Sequence, residues 1–439
     1  MENTETKLVL ITNRSRKHPK EKFISLAHLL NSEYLYNCWK ELKNGKAPGI
    51  DGKTKESNSP EEIKIEIIKT VAKMKAKRYR PKPVKRVYIE SPKGKIRPLG
   101  LPVLMDKIIQ QGMKKILEAI FEPEFLKLSY GFRSNRKCHQ ALKELYKMTM
   151  TKPLNWIIDV DIKGFFDNVD HYWLMTCIQQ KIKDPVFNRL IIRFLKAGVM
   201  EEGKWYQIER GTPQGGIISP VLANIYLHYI LDLWFEKVEK SRLTGYAKLI
   251  RYADDFIIGT QTKSKAQQIL KDLKERLSRF GLEISKEKTR IIKFGRYAKE
   301  NAQKRGKRKP ETFEFLGFRH YCGRSRKGNF LMQMKTSNKR KREDIKEMNQ
   351  WLKTIRNRLK LKEIWNNLKA KLRGHYNYYG ISGNFKEINS FYYQTIQLTF
   401  KWLNRRSQKK SFNWQEFISY LKLNPLPKPV LIHNFYDLW

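Results

Sequence analysis

The chain has 439 residues and a formal net charge of +47, from 90 lysines and arginines against 43 aspartates and glutamates. An apolar fraction of 40% excludes global disorder, because there is enough apolar surface to bury in a core. So large a positive charge opposes compaction and indicates a polyanionic partner. Nucleic acid fits better than a membrane surface, because the charge runs through the whole chain.

The expected absence of a targeting signal and the spacing of the cysteines further narrow the class of protein to which this chain can belong. Every apolar run is shorter than the roughly 18 residues that a membrane span needs, so no membrane partner is expected. Glu2 and Glu5 ahead of a very short apolar run disfavour a secretory signal. The four cysteines are far apart and form no Cys-x-x-Cys pair, which predicts free thiols in a reducing cytoplasm.

Helices and one hairpin are expected in the first third of the chain. Residues 1–20 are polar and basic and are expected to be poorly ordered. Apolar residues at helical spacing predict helices over residues 23–42, 61–79, 106–121 and 136–149. Residues 87–89 and 96–99 bracket a Pro-Lys-Gly-Lys turn and predict a hairpin. Exposed charges on a hairpin are usually solvated, but Lys93 and Arg97 would also suit a clamp on a triphosphate.

Two aspartates interrupt an otherwise apolar strand over residues 156–162. Period-two alternation places Asp159 and Asp161 on one face of this strand. A carboxylate on a central strand needs a neutralising partner, and a metal ion would supply one. Asp167 and Asp170 come after the strand, where a helix begins, and are interpreted mainly as capping residues.

A glycine-rich segment precedes the next helix. Residues 211–220 read Gly-Thr-Pro-Gln-Gly-Gly-Ile-Ile-Ser-Pro, and the pattern is then apolar and helical to about residue 237. Ser219 is expected at the N-cap and Pro220 at the first helical position. Gly215 and Gly216 would let a ligand or base pair approach bare backbone, although simple turn glycines explain the same pattern.

The segment at residues 249–258 carries the strongest chemical signal. Apolar runs flank Asp254 and Asp255, which predicts two short buried strands joined by a tight turn with both carboxylates at its tip. Adjacent carboxylates near a core are costly unless a cation neutralises them. One further carboxylate, for which Asp161 is the candidate, would complete a two-metal site for in-line phosphoryl transfer. A solvated Asp-Asp turn is the alternative.

A change of composition at about residue 335 divides the rest of the chain. Before it, the pattern predicts a helix, a mobile basic loop and a strand, over residues 264–280, 296–310 and 313–318 respectively. After it, Ser337 is expected to cap a long basic helix, and further helices are predicted around 361–379, 384–406 and 412–422. The C-terminal third is therefore a separate, basic, mostly helical module, with an aromatic-rich tail from residue 424.

Taken together, these motifs resemble those of bacterial group II intron reverse transcriptases (maturases), of the compact type without a C-terminal endonuclease. Matching motifs occur in the same order: Asp161 with Phe165-Phe166-Asp167, Gln214-Gly215-Gly216 with Ser219-Pro220, and Tyr252-Ala253-Asp254-Asp255. Residues 129–133, 286–289, 313–320 and 373–379 match as well. The resemblance implies an α+β right-hand polymerase, with fingers and a palm of antiparallel sheet flanked by helices, followed by an α-helical thumb.

The same resemblance implies a domain plan and a function. Residues 1–40 would form a basic N-terminal extension and first helix, 41–335 the fingers and palm, 336–423 the thumb and maturase region (domain X), and 424–439 a tail. The implied function is RNA-directed DNA polymerisation by two-metal-ion nucleotidyl transfer, with assistance to group II intron splicing and retrohoming. Implied partners are structured intron RNA, an RNA template with a DNA primer, dNTPs and target DNA, in the bacterial cytoplasm.

The resemblance also assigns catalytic roles. Asp161, Asp254 and Asp255 would hold two Mg²⁺ ions, or Mn²⁺ in their place, with the Ile162 carbonyl as a further ligand. Lys288 is the candidate proton donor to pyrophosphate, and a plain solvated lysine is its alternative. Asp159 matches no ligand position and is expected to have a structural or supporting role.

Binding residues follow from the same motifs. The expected nucleotide-binding residues are Lys93, Arg97, Phe166, Gln214 and Gly215. Among them, Phe166 falls where the family places an aromatic gate against a 2′-hydroxyl, with a core aromatic as the alternative. The expected RNA-binding residues are Arg373, Tyr376, Tyr378 and Tyr379.

Rival functions come from other classes. One is a splicing cofactor whose polymerase site is dispensable, which the basic C-terminal helices favour. Another is a freestanding reverse transcriptase of related lineage that acts in defence or repair. A third is a basic RNA-binding protein without chemistry, which the three well-placed aspartates disfavour.

Overall fold

The computed structural model describes residues 4–90, 96–212, 215–242, 244–408 and 411–436. The helices are α1 (Thr4–Lys17), α2 (Ser32–Glu41), α3 (Pro60–Lys75), α4 (Leu104–Phe121), α5 (Cys138–Thr151), α6 (Phe165–Asn168), α7 (His171–Ile178), α8 (Pro185–Leu195), α9 (Ser219–Leu227), α10 (Lys240–Arg242), α11 (Lys263–Arg279), α12 (Ala298–Gln303), α13 (Asn338–Ile355), α14 (Leu361–Tyr379), α15 (Phe385–Leu403) and α16 (Trp414–Leu423).

The strands are β1 (Val84–Glu90), β2 (Ile96–Leu101), β3 (Trp156–Val160), β4 (Val199–Glu201), β5 (Lys204–Tyr206), β6 (Ala247–Tyr252), β7 (Asp255–Thr260), β8 (Arg290–Lys293), β9 (Phe313–Phe315), β10 (Phe318–Arg324) and β11 (Phe330–Thr336). A 3₁₀ turn spans Ala27–Leu29, and two π-helical segments, His228–Asp232 and Phe235–Glu239, lie between α9 and α10. This mixture of helices and mainly antiparallel sheets confirms the α+β class.

The first sheet lies in the part of the chain expected to form the fingers and has the strand order β2-β1-β4-β5. β1 pairs antiparallel with β2, which is the hairpin that the sequence predicts, and parallel with β4. α4 packs against α1 and α2, and its apolar residues at helical spacing, from Ile108 to Ile120, are fully buried. α3 starts behind a capping box formed by Ser59 and Glu62, with Pro60 as its first residue.

The palm sheet carries the acidic segments. Its order is β6-β7-β3-β8, and every pair in it is antiparallel. Side chains of a strand alternate between its faces, so Ile158 and Ile258 enter one core while Ile157 and Ile257 enter the other. The sheet is therefore buried on both faces, and a one-residue slip would move every apolar side chain of a strand to the opposite core. This double burial holds the register that positions the aspartates.

The sheet β11-β10-β9 precedes the C-terminal third, which contains helices α13 to α16. The Ser337 hydroxyl accepts a hydrogen bond from the Arg340 amide, which confirms Ser337 as the cap of α13. The tail returns to these helices, because the Tyr376 hydroxyl donates to the Pro427 carbonyl at 3.0 Å. The helices agree closely with those predicted for this part of the chain.

The expectation of a poorly ordered N-terminus is wrong. The segment forms α1, which packs against α4. The Ser15 hydroxyl is buried there and donates to the Ile120 carbonyl at 2.7 Å. Tertiary packing therefore orders a helix whose own sequence is too polar to predict one.

The single helix predicted over residues 23–42 is also wrong. The structure has a 3₁₀ turn followed by α2. The Asp184 carboxylate accepts hydrogen bonds from the Leu26 and Ala27 amides at 2.6 and 2.8 Å, so a residue far along the chain holds this backbone out of the α-helix.

Three smaller predictions need correction. The basic loop over residues 296–310 contains α12. The strand predicted over residues 313–318 is two strands, because Leu316 and Gly317 both have positive φ (52° and 79°) and make a two-residue hairpin turn. Ser219 is the first residue of α9 and not its cap, a position that Ile218 takes.

The two expected capping aspartates differ. Asp170 caps α7, because its carboxylate accepts a hydrogen bond from the Trp173 amide. Asp167 lies within α6 and does not cap it. The four cysteines are free thiols, as predicted. Within the described ranges, no helix is both long enough and apolar enough to cross a lipid bilayer.

Close backbone packing behind the acidic hairpin gives a first prediction. A Cβ at Gly131 would lie 2.3 Å from the Ala253 nitrogen, so backbone would have to shift. We expect Gly131→Ala to lower the free energy of unfolding by about 1–3 kcal/mol, measured by denaturant unfolding.

Gly374→Ala is the matched control. This glycine lies within α14, and a Cβ there has no neighbour within 4 Å among the described residues. The control should raise stability by up to about 1 kcal/mol, because alanine favours the helix. Equal stability of the two variants would contradict the packing account.

Candidate active site

The acidic hairpin is formed by β6 and β7. Tyr252 pairs with Asp255, which leaves Ala253 and Asp254 as a two-residue turn. Ala253 has a φ of 59°, unusual for a residue other than glycine. Asp254 is half-buried in this turn and Asp255 is the exposed first residue of β7. The predicted pair of strands with carboxylates at the tip is confirmed.

Strand β3 brings the third aspartate to the same edge of the sheet. β3 is antiparallel to β7, with Val160 opposite Phe256 and Asp159 opposite Ile257. Continuing this register by one residue sets Asp161 opposite Asp255. The backbone of Asp161 is held by a different segment, because its carbonyl accepts a hydrogen bond from the Ser285 amide at 2.8 Å, next to the Ile162–Ile284 bridge. Three of the predicted site residues therefore meet at one end of the palm sheet.

The crowding of carboxylates has an electrostatic consequence. The side chain of Asp255 opens to solvent, but surrounding protein displaces much of the water from its carboxyl group. This desolvation, followed by the negative charges of Asp159, Asp254 and Asp161, raises the pKa of Asp255 to about 8. Burial also raises the pKa of Asp159, which its Arg290 partner partly offsets. Such a site favours a bound cation.

Two basic side chains pair with the aspartates of β3. The Lys288 ammonium lies 2.7 Å from the Asp161 carboxylate, and the Arg290 guanidinium lies 3.3 Å from the Asp159 carboxylate. Both members of the Lys288–Asp161 pair are largely exposed, so this ion pair contributes at most about 1 kcal/mol. A divalent cation would compete readily with so weak a partner.

The donor atoms at this edge fit a hard divalent cation. Mg²⁺ and Mn²⁺ prefer carboxylate and carbonyl oxygens, and Asp161, Asp254, Asp255 and the Ile162 carbonyl are of this kind. No described residue donates a hydrogen bond to that carbonyl. Across the described chain, however, no three His, Cys, Asp or Glu side chains converge into a finished metal cluster. Metal binding would therefore require these carboxylates to reorient and Lys288 to leave Asp161.

Comparison with known proteins identifies the family. Residues 81–320 match the family model described as reverse transcriptase (RNA-dependent DNA polymerase). The chain is 31% identical to the group II intron-encoded protein LtrA of Lactococcus lactis subsp. cremoris, in an alignment of 466 positions that covers 90% of this chain and 76% of LtrA. This chain belongs to the group II intron reverse transcriptase family. It is an RNA-directed DNA polymerase.

Other relatives agree with this assignment. Protein YkfC of Escherichia coli (strain K12) is 31% identical over 65% of this chain and 79% of its own length. Nuclear intron maturase 4, mitochondrial, of Arabidopsis thaliana is 32% identical over 29% of this chain and 16% of its own length. As a reverse transcriptase, the protein binds nucleic acid, and its family uses divalent metal ions.

The structure describes only some of the predicted nucleotide-binding residues. Lys93 and Gln214 lie outside the described residues, and for Arg97 the structure describes the backbone, which pairs with Ile89 in the β1–β2 hairpin. Gly215 has a φ of 108° and packs so closely that a Cβ would lie 2.7 Å from the Gly100 carbonyl oxygen of β2. The glycine loop therefore adjoins the fingers hairpin.

Phe166 lies on α6, next to that loop. Its ring is half-buried and meets the Phe165 ring edge-on at 5.2 Å, while its carbonyl accepts a hydrogen bond from the Thr212 amide at 2.8 Å. Nearby, a cavity of about 360 Å³ lies between β1 and the 207–212 segment and is lined by Arg86 and Arg210. Sequence reasoning missed both arginines, because neither falls in a recognisable motif.

The RNA-binding residues predicted on α14 need correction. Arg373 is exposed, but Tyr376 and Tyr379 are buried, with relative exposures of 1% and 6%. The Tyr378 hydroxyl donates to the Leu316 carbonyl at 3.1 Å, and the Tyr379 hydroxyl accepts from Arg340 at 3.1 Å. Tyr376 and Tyr379 are therefore buried in the thumb and not placed to stack on RNA, whereas the half-buried Tyr378 joins the thumb to the turn between β9 and β10.

The raised pKa of Asp255 predicts a pH dependence of stability. Its pKa is about 8 in the folded chain, against 3.8 for the ordinary group. Between about pH 4 and 8 the folded protein therefore binds more protons at this site than the unfolded chain, so this group lowers stability as pH rises through that window. We expect metal-free Asp255→Asn to lose less stability than the wild type over this range, in thermal unfolding with EDTA. Identical pH slopes would contradict the assignment.

Proposed function

We propose that Asp161, Asp254 and Asp255 are the catalytic residues, and that they hold two Mg²⁺ ions, or Mn²⁺ as a substitute, with the Ile162 carbonyl as a further ligand. Held by these residues, the ions would supply activation of the primer 3′-hydroxyl and charge stabilisation of the leaving pyrophosphate. The observation that carries the proposal is the antiparallel β3–β7 register, which ends with Val160 opposite Phe256, the residues next to Asp161 and Asp255.

The chain itself orients these groups. Asp255 is held by its pairing with Tyr252, and Asp161 by the hydrogen bond that its carbonyl accepts from the Ser285 amide. Lys288, at 2.7 Å from Asp161, is the proposed proton donor to the pyrophosphate. If Asp161 held a metal ion, the Lys288 ammonium would no longer be paired with this carboxylate and could donate its proton to the leaving group.

The incoming dNTP is proposed to bind between the fingers hairpin and the glycine loop. Lys93 and Arg97 would contact the triphosphate, Gln214 and Gly215 would line the pocket, and Phe166 would exclude a 2′-hydroxyl. Supporting this arrangement, the Phe166 carbonyl binds the Thr212 amide and Gly215 packs against β2. The described ends of the glycine loop therefore contact both the Phe166 backbone and β2, which supports a shared role in the nucleotide pocket.

Loss of one metal ligand should abolish RNA-templated DNA synthesis. We expect Asp254→Ala to lower the rate of primer extension by at least about 1,000-fold, because a missing ligand removes several kcal/mol of transition-state stabilisation. Asp272→Ala, on the surface of α11, is the matched control and should extend primers at the wild-type rate. Primer extension by Asp254→Ala at near the wild-type rate would contradict the assignment of Asp254 as a catalytic residue.

The gate predicts a change of sugar selectivity. We expect Phe166→Ala to incorporate ribonucleotides at least about tenfold more readily relative to dNTPs, because removing the ring opens space for the 2′-hydroxyl. Single-nucleotide extension with dNTP and NTP measures the ratio. Phe165→Ala is the comparison, since its ring is buried in the core and should affect stability instead. An unchanged ratio in a folded Phe166→Ala would make Phe166 a core aromatic.

We further propose that the natural template is structured intron RNA, and that the protein assists splicing and retrohoming into target DNA in the bacterial cytoplasm. The net charge of +47 supports a large polyanionic partner. A groove between α13 and α15 adds support, because its charged lining residues are all basic: Lys341, Arg342, Lys346 and Lys401. Shape and backbone contacts would dominate, as they do for folded RNA.

This groove gives a salt-dependence prediction. The triple variant Arg342→Gln, Lys346→Gln and Lys401→Gln should reduce the slope of log affinity against log salt by about 2–3, because fewer RNA phosphates are neutralised. Lys263→Gln, Lys271→Gln and Lys274→Gln on α11 are the matched control for lost charge. Filter binding to the folded RNA encoded around the reading frame measures both slopes.

Equal slopes for the two triple variants would show that the groove is only a solvated helix face. The identity of the RNA is checked by pull-down from the native cell and sequencing. A short unrelated RNA in place of a folded intron would favour a freestanding enzyme of defence or repair.

A further inference from the structure

A fully buried ion pair lies directly behind the acidic hairpin. Arg251 immediately precedes Tyr252-Ala253-Asp254-Asp255, and its guanidinium binds Asp232 in a bidentate manner, with Nε–Oδ1 at 2.8 Å and Nη2–Oδ2 at 2.6 Å. Both side chains have zero exposure to solvent. Arg251 is also among the largest fully buried side chains of the described chain.

The third nitrogen of the guanidinium reaches the turn itself. Nη1 of Arg251 donates to the Ala253 carbonyl at 2.9 Å and to the Asn224 Oδ1 at 3.0 Å. The Ala253 carbonyl and the Asp254 amide share one planar peptide unit, so anchoring the carbonyl fixes the rotation of that unit. The direction in which the Asp254 side chain leaves the backbone is thereby set.

Asp254 needs such an anchor more than the other aspartates do. Asp255 pairs with Tyr252 in the strand ladder, whereas Asp254 lies in the two-residue turn. The preceding residue, Ala253, has a positive φ of 59°, a conformation that is unfavourable for alanine and persists where neighbouring structure enforces it. The hydrogen bond from Arg251 is one such constraint.

Residues 128–131 hold the backbone next to the turn by further hydrogen bonds. The Arg251 amide donates to the Leu128 carbonyl and the Tyr130 amide donates to the Arg251 carbonyl, both at 2.9 Å. Asn224 joins these residues to Arg251, because its Nδ2 donates to the Gly131 carbonyl at 2.8 Å while its Oδ1 accepts from Arg251. The turn is thus enclosed by one connected set of buried hydrogen bonds.

Asp232 reaches Arg251 from an irregular helix. It is the last residue of the π-helical segment His228–Asp232, and π turns occur frequently at functional sites. A buried ion pair adds little net stability, since a pair of well-packed apolar side chains is often as stable. Stability alone therefore does not account for this charged pair. The remaining donor of Arg251, Nη1, binds the turn that carries Asp254.

We propose that Arg251 is a positioning residue, which, held by Asp232, fixes the Ala253–Asp254 peptide so that Asp254 is oriented for metal binding. This inference rests on the proposed metal role of Asp254. It predicts that removing the ion pair without unfolding the chain weakens metal binding and turnover while leaving substrate binding unchanged.

The test uses the double variant Arg251→Met with Asp232→Leu, which replaces both charges by apolar side chains of similar size. Mn²⁺ alone is titrated into the full chain and followed by electron paramagnetic resonance, and primer extension gives kcat and KM. We expect Mn²⁺ affinity and kcat to fall about 10- to 100-fold, as for other residues that orient metal ligands. KM for template–primer and dNTP should stay within about twofold.

Two further variants serve as comparisons. Lys248→Met with Glu144→Leu removes an ion pair on the same strand that does not touch the turn, and it should bind Mn²⁺ like the wild type. Arg251→Lys keeps the charge beside Asp232 and so preserves folding, but an ammonium lacks the planar fork that reaches Asp232, Asn224 and Ala253 together. It should also lose Mn²⁺ affinity, and it decides the question if the double variant does not fold.

The outcomes distinguish the metal role of Asp254 from the positioning role of Arg251. If Asp254→Ala binds Mn²⁺ and extends primers like the wild type, the metal role of Asp254 fails, and the inference about Arg251 fails with it. If Asp254→Ala is inactive but folded Arg251→Lys or the folded double variant keeps wild-type Mn²⁺ affinity and kcat, then Arg251 is purely structural and this inference alone is overturned.

Discussion

Mutual repulsion among four carboxylates at one end of the palm sheet is the constraint on which the rest of the structure depends. Desolvation, together with the negative charges of Asp159, Asp254 and Asp161, raises the pKa of Asp255 to about 8. Such a group is not stable on its own, because like charges in a partly dehydrated site repel strongly. The fold must hold these residues together, and the proposed divalent cations would neutralise them.

Several layers of structure resist this repulsion. One hydrophobic core packs against each face of the palm sheet, and this packing fixes the register of β3 against β7. Lys288 and Arg290 pair with the β3 aspartates from β8 and the segment before it. Behind the turn, the buried Arg251 side chain links the hairpin to Asp232 and Asn224. Packing and buried hydrogen bonds thus maintain a cluster that electrostatics alone would disperse.

The acidic cluster is a small region of negative charge in a chain whose net charge is +47. These two features serve different steps of one reaction. Widespread positive charge attracts template, primer and nucleotide and offsets their phosphates. In the proposed mechanism, the local negative cluster would attract divalent cations to the position where the phosphoryl group is transferred. A uniformly basic surface would bind nucleic acid equally well but would offer no place for metal ions.

Local sequence patterns were sufficient to predict much of the site. Near-continuous apolar runs around Asp161 and on either side of Asp254 identified β3, β6 and β7, because strands buried on both faces are apolar along their whole length. The helices of the C-terminal third were also correctly predicted from their periodicity. In each case the decisive contacts are between residues close in sequence or follow from a regular repeat.

What the sequence could not reveal depends on distant contacts. The Arg251–Asp232 pair joins residues 19 apart across a π-helical segment that no local pattern announces. Asp184 holds the 26–27 backbone out of a helix from more than 150 residues away. Tyr376 and Tyr379 belong to an aromatic-rich basic motif typical of RNA binding, yet the helix face they occupy is turned inward to the thumb core.

The most direct test of the account is the location of metal ions in the working enzyme. Crystals of the wild type with template–primer, a non-hydrolysable dNTP and Mn²⁺ would give anomalous diffraction peaks at the manganese positions. We predict peaks bounded by the carboxylates of Asp161, Asp254 and Asp255, with Lys288 displaced from Asp161. Ordered substrate with no anomalous peak at these carboxylates, or with manganese bound elsewhere, would contradict the account.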